Sequence, residues 1–176
     1  RIDAHGNVVS PLDLSSIRNE MEVTYKSGIS SIAIVTMHGY RYPDHEQKIA
    51  ELAQKIGFTQ ISTSHQTSPL MKLVGRGDTT VVDAYLSPIL RRYIDRVQNE
   101  VGDVPLYFMQ SNGGLAGADH FQGKDAILSG PAGGIVGAVK TAALSGYDKL
   151  IGFDMGGTST DVSHYDGEYE RAYETM

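Results

Sequence analysis

Two aspartates frame the segment with the clearest chemistry. Ile151-Gly152-Phe153 is an apolar run that delivers Asp154 to its end. Met155 and two glycines, Gly156 and Gly157, turn the chain, and Thr158, Ser159, Thr160 and Asp161 begin the return into Val162-Ser163. Glycine is needed where backbone N–H groups must approach a phosphate without a Cβ in the way. Thr158 and Ser159 add hydroxyl donors for the same oxygens. A nucleotide phosphate arrives with Mg²⁺, a hard cation that keeps several waters and takes few carboxylates. Asp154 and Asp161 suit that task, holding metal-bound waters or orienting an attacking one. The pattern is not a Walker A loop, which would end in Gly-Lys-Ser/Thr before a helix. Nor is it a dinucleotide turn, because a strand follows rather than a helix. The competing reading is a plain hairpin with solvated aspartates; two flanking acids and two apolar arms weigh against it.

Other residues invite weaker readings. His38 stands where a buried strand is expected to end, the place where open α/β sheets put ligand groups. Lining a substrate site and hydrogen-bonding the neighbouring loop are both open to it. His45 and Glu46 fall in the first turn of an expected helix, where an acid complements the dipole, and read as structural. The histidines and Glu46 lack a recognised metal-ligand spacing. Arg76-Gly77-Asp78 spells an adhesion tripeptide by chance, with Asp78 expected to cap the next helix. Ser129 precedes Gly130-Pro131 and not a nucleophile elbow, so it reads as a helix N-cap. The small residues from Gly130 to Ala138 permit either a close approach by another backbone or tight core packing.

The elements that would carry these residues alternate. A helix capped by Asp13 carries Leu14, Ile17 and Met21 on one face and stops at Gly28. Ile29 to Met37 is apolar without alternation, as in a strand buried on both faces. Pro43-Asp44 opens a helix with Ile49, Leu52, Ala53 and Ile56 at helical spacing, ended by Gly57. A short strand covers Gln60 to Ser64. Asp78 to Val101 reads as a long amphipathic helix that Pro88 should kink. Leu106 to Met109 and Ala126 to Leu128 read as short strands, with a loop over Gln110 to Leu115. Lys149 to Phe153 reads as a buried strand and Asp161 to Tyr165 as its return. The class is therefore α/β, with a mixed, mostly parallel sheet flanked by helices.

Composition narrows the field. The 176 residues are 40% hydrophobic and 20% charged, enough for a packed core and unlike a disordered chain. A net charge of −6 with no basic run argues against nucleic acid and anionic membrane surfaces. The absence of cysteine excludes disulfides, thiolate metal sites and a cysteine nucleophile. No apolar run is long enough to cross a bilayer, so a soluble, cytoplasmic protein is expected. Ile2 to Val9 reads as a strand-turn-strand entered midway, and Glu168 to Tyr173 as a hairpin arm that stops at once. Both ends lead us to expect an internal piece of a longer polypeptide.

The order of small-residue helix, short gap and acid-framed glycine loop resembles the actin/Hsp70-like (ribonuclease H-like) ATPase superfamily. More narrowly, the chain is similar from end to end to the hydantoinase A/5-oxoprolinase family. The likeness is carried by His38-Gly39-Tyr40-Arg41-Tyr42-Pro43-Asp44-His45-Glu46, Asp83-Ala84-Tyr85-Leu86-Ser87-Pro88, Gln110-Ser111-Asn112-Gly113-Gly114-Leu115, Ser129-Gly130-Pro131-Ala132-Gly133-Gly134 and Phe153 to Ser163. Gly75-Arg76-Gly77 and Val162 to Glu168 are more similar to 5-oxoprolinases than to N-methylhydantoinases. The resemblance implies an αβ portion of the family's N-terminal region over 1–101 and the start of its ATPase-like domain over 102–176.

It also implies ATP with Mg²⁺, often with K⁺, used to open a lactam. For a 5-oxoprolinase the products are L-glutamate, ADP and phosphate, by way of phosphorylation of the amide oxygen. Gly156, Gly157, Thr158 and Ser159 would then hold phosphates, and Asp154, through water, and Asp161 would manage Mg²⁺ or the attacking water. Asn112, Gly113 and Gly114 would face the substrate cleft with His38, although a flexible turn is the alternative for them. A hydantoinase B-type subunit or fused half is the implied partner. N-methylhydantoinase activity and a non-catalytic actin-like nucleotide-binding scaffold are the rival readings.

The superfamily uses two phosphate loops and an adenosine-binding segment, whereas this sequence holds one Asp-x-Gly-Gly-Thr-type hairpin. The isolated chain is expected to bind Mg-ATP weakly. Calorimetric titration checks this, and a micromolar dissociation constant would contradict it.

Overall fold

The computed structural model describes residues 1–170. The hairpin arm expected over 168–173 falls partly outside them; residues 168–170 form no strand. The chain divides into a first unit of Arg1–Val97 with Gln122–Lys124, and a second of Gln98–Phe121 with Asp125 onward.

In the first unit, α1 (Leu14–Lys26) starts as its cap demands, with Asp13 accepting from the Ser15 and Ser16 backbone N–H groups. Strand β1 (Ser31–Ile34), helix α2 (Asp44–Ile56) and strand β2 (Gln60–Thr63) form a βαβ unit with the strands paired in parallel, Ser31 opposite Gln60 and Ile34 opposite Thr63. Gly57 ends α2 at φ 118°, a left-handed conformation that glycine alone adopts readily. Met21, Leu52, Ala53 and Phe58 form the core between helices and sheet, with Ile17, Ile32, Ile49, Ile56 and Ile61 packed around it. The apolar spacing of α2 thus does the work expected of it, as do Ile17 and Met21 of α1, whereas Leu14 at the start of α1 is exposed. The strand-turn-strand expected over Ile2 to Val9 is reduced to one antiparallel bridge, Ile2 to Val8.

Strand β1 is shorter than the apolar run suggests, and only Ile34 in it is buried. The reason lies in what its continuation bonds to. The Thr36 N–H donates to Glu46 Oε1 at 2.8 Å, and the Thr36 and Met37 carbonyls accept from Arg76 Nη2 at 2.6 and 3.0 Å. Side chains, not a neighbouring strand, satisfy this backbone.

Those side chains belong to one buried cluster. Glu46 and Arg76 are fully buried, as is Ser64 at the start of the short helix α3 (Ser64–Thr67). Glu46 accepts from Ser64 Oγ at 2.6 Å, from the His65 N–H at 3.1 Å and from His65 Nδ1 at 2.8 Å. Arg76 Nε donates to Ser64 Oγ at 2.9 Å, Nη1 to the Leu70 and Met71 carbonyls, and its guanidinium lies over the Tyr40 ring. Glu46 therefore does more than complement a helix dipole. Gly39 is required here, because a Cβ on it would meet Glu46 Oε1.

Helix α4 runs from Leu73 to Val101, five residues earlier than Asp78, so Gly75-Arg76-Gly77 is helical and Asp78 caps nothing. Anchoring of Arg76 is what draws two glycines into the first turns. Pro88 lies inside α4. Asp83 on α4 accepts from Ser62 Oγ at 2.7 Å and from the Lys124 N–H at 3.2 Å, tying the helix to β2 and to Gly123–Lys124.

In the second unit, β3 (Tyr107–Met109) and β4 (Leu115–Gly117) pair antiparallel. The expected strand over Ala126 to Leu128 is absent. Helix α5 (Gly123–Ala126) ends on Ala126 and a turn covers 127–128, with the Ala126 carbonyl accepting from Ser129 Oγ rather than joining a ladder. Helix α6 (Ser129–Leu144) then begins with Leu128 in the cap position, so Ser129 is its first residue and not its cap. β5 (Lys149–Met155) and β6 (Thr160–Asp166) form the last hairpin. The architecture is mixed α/β, with one parallel and two antiparallel two-stranded sheets among the described residues, so the mostly parallel sheet is realised only in β1 and β2. No helix of the described residues is long and apolar enough to cross a membrane.

Burial pushes the Glu46 carboxyl upward, but hydrogen bonds from Ser64, His65 and Thr36 outweigh it and hold Glu46 below its ordinary value of 4.5. A depressed carboxyl contributes stability above its unfolded value that is lost as pH falls through the folded value. Glu46→Gln should destabilise the protein at neutral pH by about 1.5–3 kcal/mol, the range for a hydrogen bond to a charged group. That difference should shrink in acid below the ordinary glutamate value, as denaturant titrations at the two pH values would read.

Candidate functional site

The hairpin of the second unit places the two aspartates directly opposite each other. Asp154 pairs with Asp161, Phe153 with Val162 and Met155 with Thr160. Directly opposed residues share a face, with Cβ atoms about 4.5–5.5 Å apart. Gly152, Ser163, Leu150 and Tyr165 lie on the face of the aspartates, while Ile151, Phe153, Met155 and Val162 lie on the other. Facing carboxylates repel, so the pair is suited to a cation between or beyond them. No group of three or more histidine, aspartate or glutamate side chains capable of holding a metal occurs among the described residues. Two carboxylates without a third ligand fit a Mg²⁺ that keeps most of its waters and takes its other oxygens from phosphate.

The turn is equally specific. The Gly156 N–H donates to the Ser159 carbonyl at 2.9 Å and closes the loop over Gly156, Gly157, Thr158 and Ser159, all of them exposed. Neither Gly156 nor Gly157 adopts a positive φ. A Cβ on Gly157 would meet nothing within 4 Å. Local folding thus places no demand for glycine at 157, whereas a ligand approaching the backbone would.

Helix α6 joins the site to the β3–β4 turn. A Cβ on Gly134 would lie 3.8 Å from Asp154 Oδ2, one on Gly133 3.4 Å from Met109 Cγ, and one on Gly113 3.2 Å from Val136 Cγ2. The small residues therefore let α6 approach both the hairpin carboxylate and the Asn112-Gly113-Gly114 turn, which brings these two sets of residues to one helix. That turn is ordered: the Gly114 N–H donates to Asn112 Oδ1 at 2.7 Å, Gly113 has φ 80°, and the Gln110 N–H donates to the Gly114 carbonyl. His38 belongs to the first unit, just beyond β1. It is half-buried, with its ring edge-on to Tyr40.

One expectation fails at the hairpin. β5 is not buried: Ile151, Phe153, Met155 and Val162 are 66–74% exposed. Helix α6 covers the aspartate face only, and nothing among the described residues covers the other. An apolar pattern states that a face favours burial, not which element supplies it.

The hydantoinase/oxoprolinase sequence profile matches residues 76–176, and that of the hydantoinase/oxoprolinase N-terminal region matches residues 1–57. The chain belongs to the hydantoinase/oxoprolinase family. Among relatives in this family, a 5-oxoprolinase of Saccharomyces cerevisiae is 45% identical over 96% of this chain, and 5-oxoprolinase 1 of Arabidopsis thaliana is 46% identical over 96%. The chain spans 14% of the length of each. The crystal structure of an ATP-dependent caprolactamase from Pseudomonas jessenii superposes with a TM-score of 0.83 and 34% identity, over 93% of this chain and 25% of that one.

The residues that sequence reasoning missed are Ser64, His65 and Arg76. The only local signal was an arginine set between two glycines, which reads as a loop. His65 Nε2 is buried without a hydrogen-bond partner, while its Nδ1 is held by Glu46.

Replacing either aspartate by asparagine removes the repulsion of the facing pair. Asp154→Asn or Asp161→Asn should stabilise the nucleotide-free protein by about 0.2–1 kcal/mol, the range for cross-strand pairs. The gain should fall as Mg²⁺ is added, as thermal melting would show.

Proposed function

We propose that the protein acts as part of an ATP-dependent cyclic-amide hydrolase that converts 5-oxo-L-proline to L-glutamate with release of ADP and phosphate. The observation that carries this reading is the hairpin, with two aspartates in register below a bare, exposed glycine loop. The 5-oxoprolinases that match almost the whole chain support it, and the ATP-dependent caprolactamase supports the wider lactam chemistry. Gly156, Gly157, Thr158 and Ser159 hold phosphate oxygens through backbone N–H and hydroxyl groups. Asp154 and Asp161 orient the water shell of Mg²⁺ or the attacking water. ATP supplies the phosphoryl group that activates the amide oxygen; the protein contributes positioning and charge neutralisation.

In this reading the second unit is half of an actin-like phosphate clamp, with α6 crossing behind it. The N-terminal region is the αβ portion over 1–101 and the ATPase-like domain starts at 102. The other phosphate loop and the adenosine site come from the rest of the enzyme, and a hydantoinase B-type subunit or fused half completes it. K⁺ is a further expected ion. His38 in the first unit and, separately, Asn112, Gly113 and Gly114 in the second are each assigned to substrate contact. A larger lactam is the second reading, favoured by the caprolactamase neighbour.

Release of ADP by the full-length protein, with 5-oxoproline, caprolactam or hydantoins as substrate, tests the assignment. ADP release should depend on 5-oxoproline above the others. Asp154→Ala and Asp161→Ala should each lower kcat by about 100-fold or more, the scale for loss of a preorganised charge-stabilising group. Unchanged turnover in both variants would remove the hairpin from the mechanism.

A further inference from the structure

A cavity of about 530 Å³ opens in the first unit, beyond the C-terminal end of β1. Ile2, Leu12 and Met37 supply apolar wall, and Arg1, Thr36, His38, Tyr42 and His45 bring polar groups to it. Its position matters, since ligands of α/β sheets gather outside the carboxyl ends of strands. Its wall is also fixed, because the Thr36 and Met37 carbonyls are both held by the buried Arg76 guanidinium. A site whose backbone is clamped from behind loses little entropy when it receives a ligand.

His45 is the unexpected member. It lies in the first turn of α2, is 7% exposed, and makes no side-chain hydrogen bond among the described residues. Its ring nitrogens are not sealed from solvent and no side-chain partner occupies them, so they are open to a ligand. Burial holds its imidazole below the usual histidine value, with Lys48 adding to the effect and Asp44 pulling the other way. The neutral ring carries one donor and one acceptor. The His38 side chain likewise forms no hydrogen bond among the described residues, and its ring lies edge-on to Tyr40. Two uncommitted imidazoles thus meet an apolar wall.

A cyclic amide has the matching chemistry. Its ring is a short hydrocarbon strip, and its locked cis amide presents a carbonyl acceptor and an N–H donor side by side. We infer that this cavity receives the ring of the cyclic amide, with His38 and His45 hydrogen-bonding its carbonyl and N–H and Ile2, Leu12 and Met37 covering its methylenes. The inference rests on the lactam-opening reading above and assigns both histidines to substrate binding, a role that helix-capping logic had denied to His45.

The test uses the full-length protein with its partner half where that is a separate subunit. Binding of 5-oxo-L-proline is measured calorimetrically without nucleotide, and ADP release is measured with lactam and Mg-ATP varied separately. His38→Ala and His45→Asn should each raise the lactam Kd and KM on the order of tenfold, the scale of one lost hydrogen bond with its partner left unpaired. The KM for Mg-ATP and the melting temperature should be unchanged. Leu12→Trp, which leaves both histidines in the sequence and fills the cavity, should weaken lactam binding in the same way. Wild-type turnover with unaltered lactam Kd and KM in all three variants overturns this assignment. Lactam binding lost in the variants, but without lactam-dependent ADP release by the wild type, leaves the cavity assigned and overturns the amidase reading. Absence of both binding and turnover in the wild type overturns the two together.

Discussion

A single buried carboxylate organises the first unit. Glu46 would carry a large desolvation penalty alone, and the structure meets it with donors from three directions: the end of β1, the start of α3 and His65. Arg76 completes the arrangement through Ser64 instead of contacting Glu46 directly. The charges are thus separated by a hydroxyl that donates to one and accepts from the other. This network determines where β1 ends, where α4 begins and which glycine can occupy position 39. It is a demanding solution, because removal of any member leaves others buried and unpaired.

The same network shapes the cavity beside it. The backbone of Thr36 and Met37 cannot relax toward a ligand, since its carbonyls are held by guanidinium donors. His38 and His45 line the cavity next to this segment, whose geometry is decided elsewhere.

The second unit follows a different principle. Its hairpin has few buried side chains, and its specificity lies in register. Because the strand period is two, pairing Asp154 with Asp161 also sends Phe153 and Val162 to the opposite face. A slip of one residue would separate the carboxylates. Helix α6 supports the aspartate face with glycines and alanines, since larger side chains would hold it away from Asp154 and Met109.

Much of this was legible in the residues. The Asp13 cap, the apolar face of α2 with its glycine stop, and the acid-framed glycine turn all depend on neighbours within a few positions, so local pattern determined them. The family likeness rested on the same local runs. Other features depend on partners far apart in the chain. Arg76 bonds to Thr36 across forty positions, and Ser62 to Asp83 across twenty-one. No spacing rule announces such pairs, so Glu46 read as a helix-dipole residue and Arg76 as a residue before the helix rather than in it. The strand expected over Ala126 to Leu128 gave way to a helix end and a turn, with the Ala126 carbonyl taken by Ser129 Oγ and the preceding Asp125 carbonyl by Ser111. By itself the sequence determined the acid-framed glycine hairpin and the helices with clear apolar faces. Tertiary structure alone decided which polar side chains are buried, which strand faces are covered and where a cavity opens, since each is set by contacts between segments that are remote in sequence.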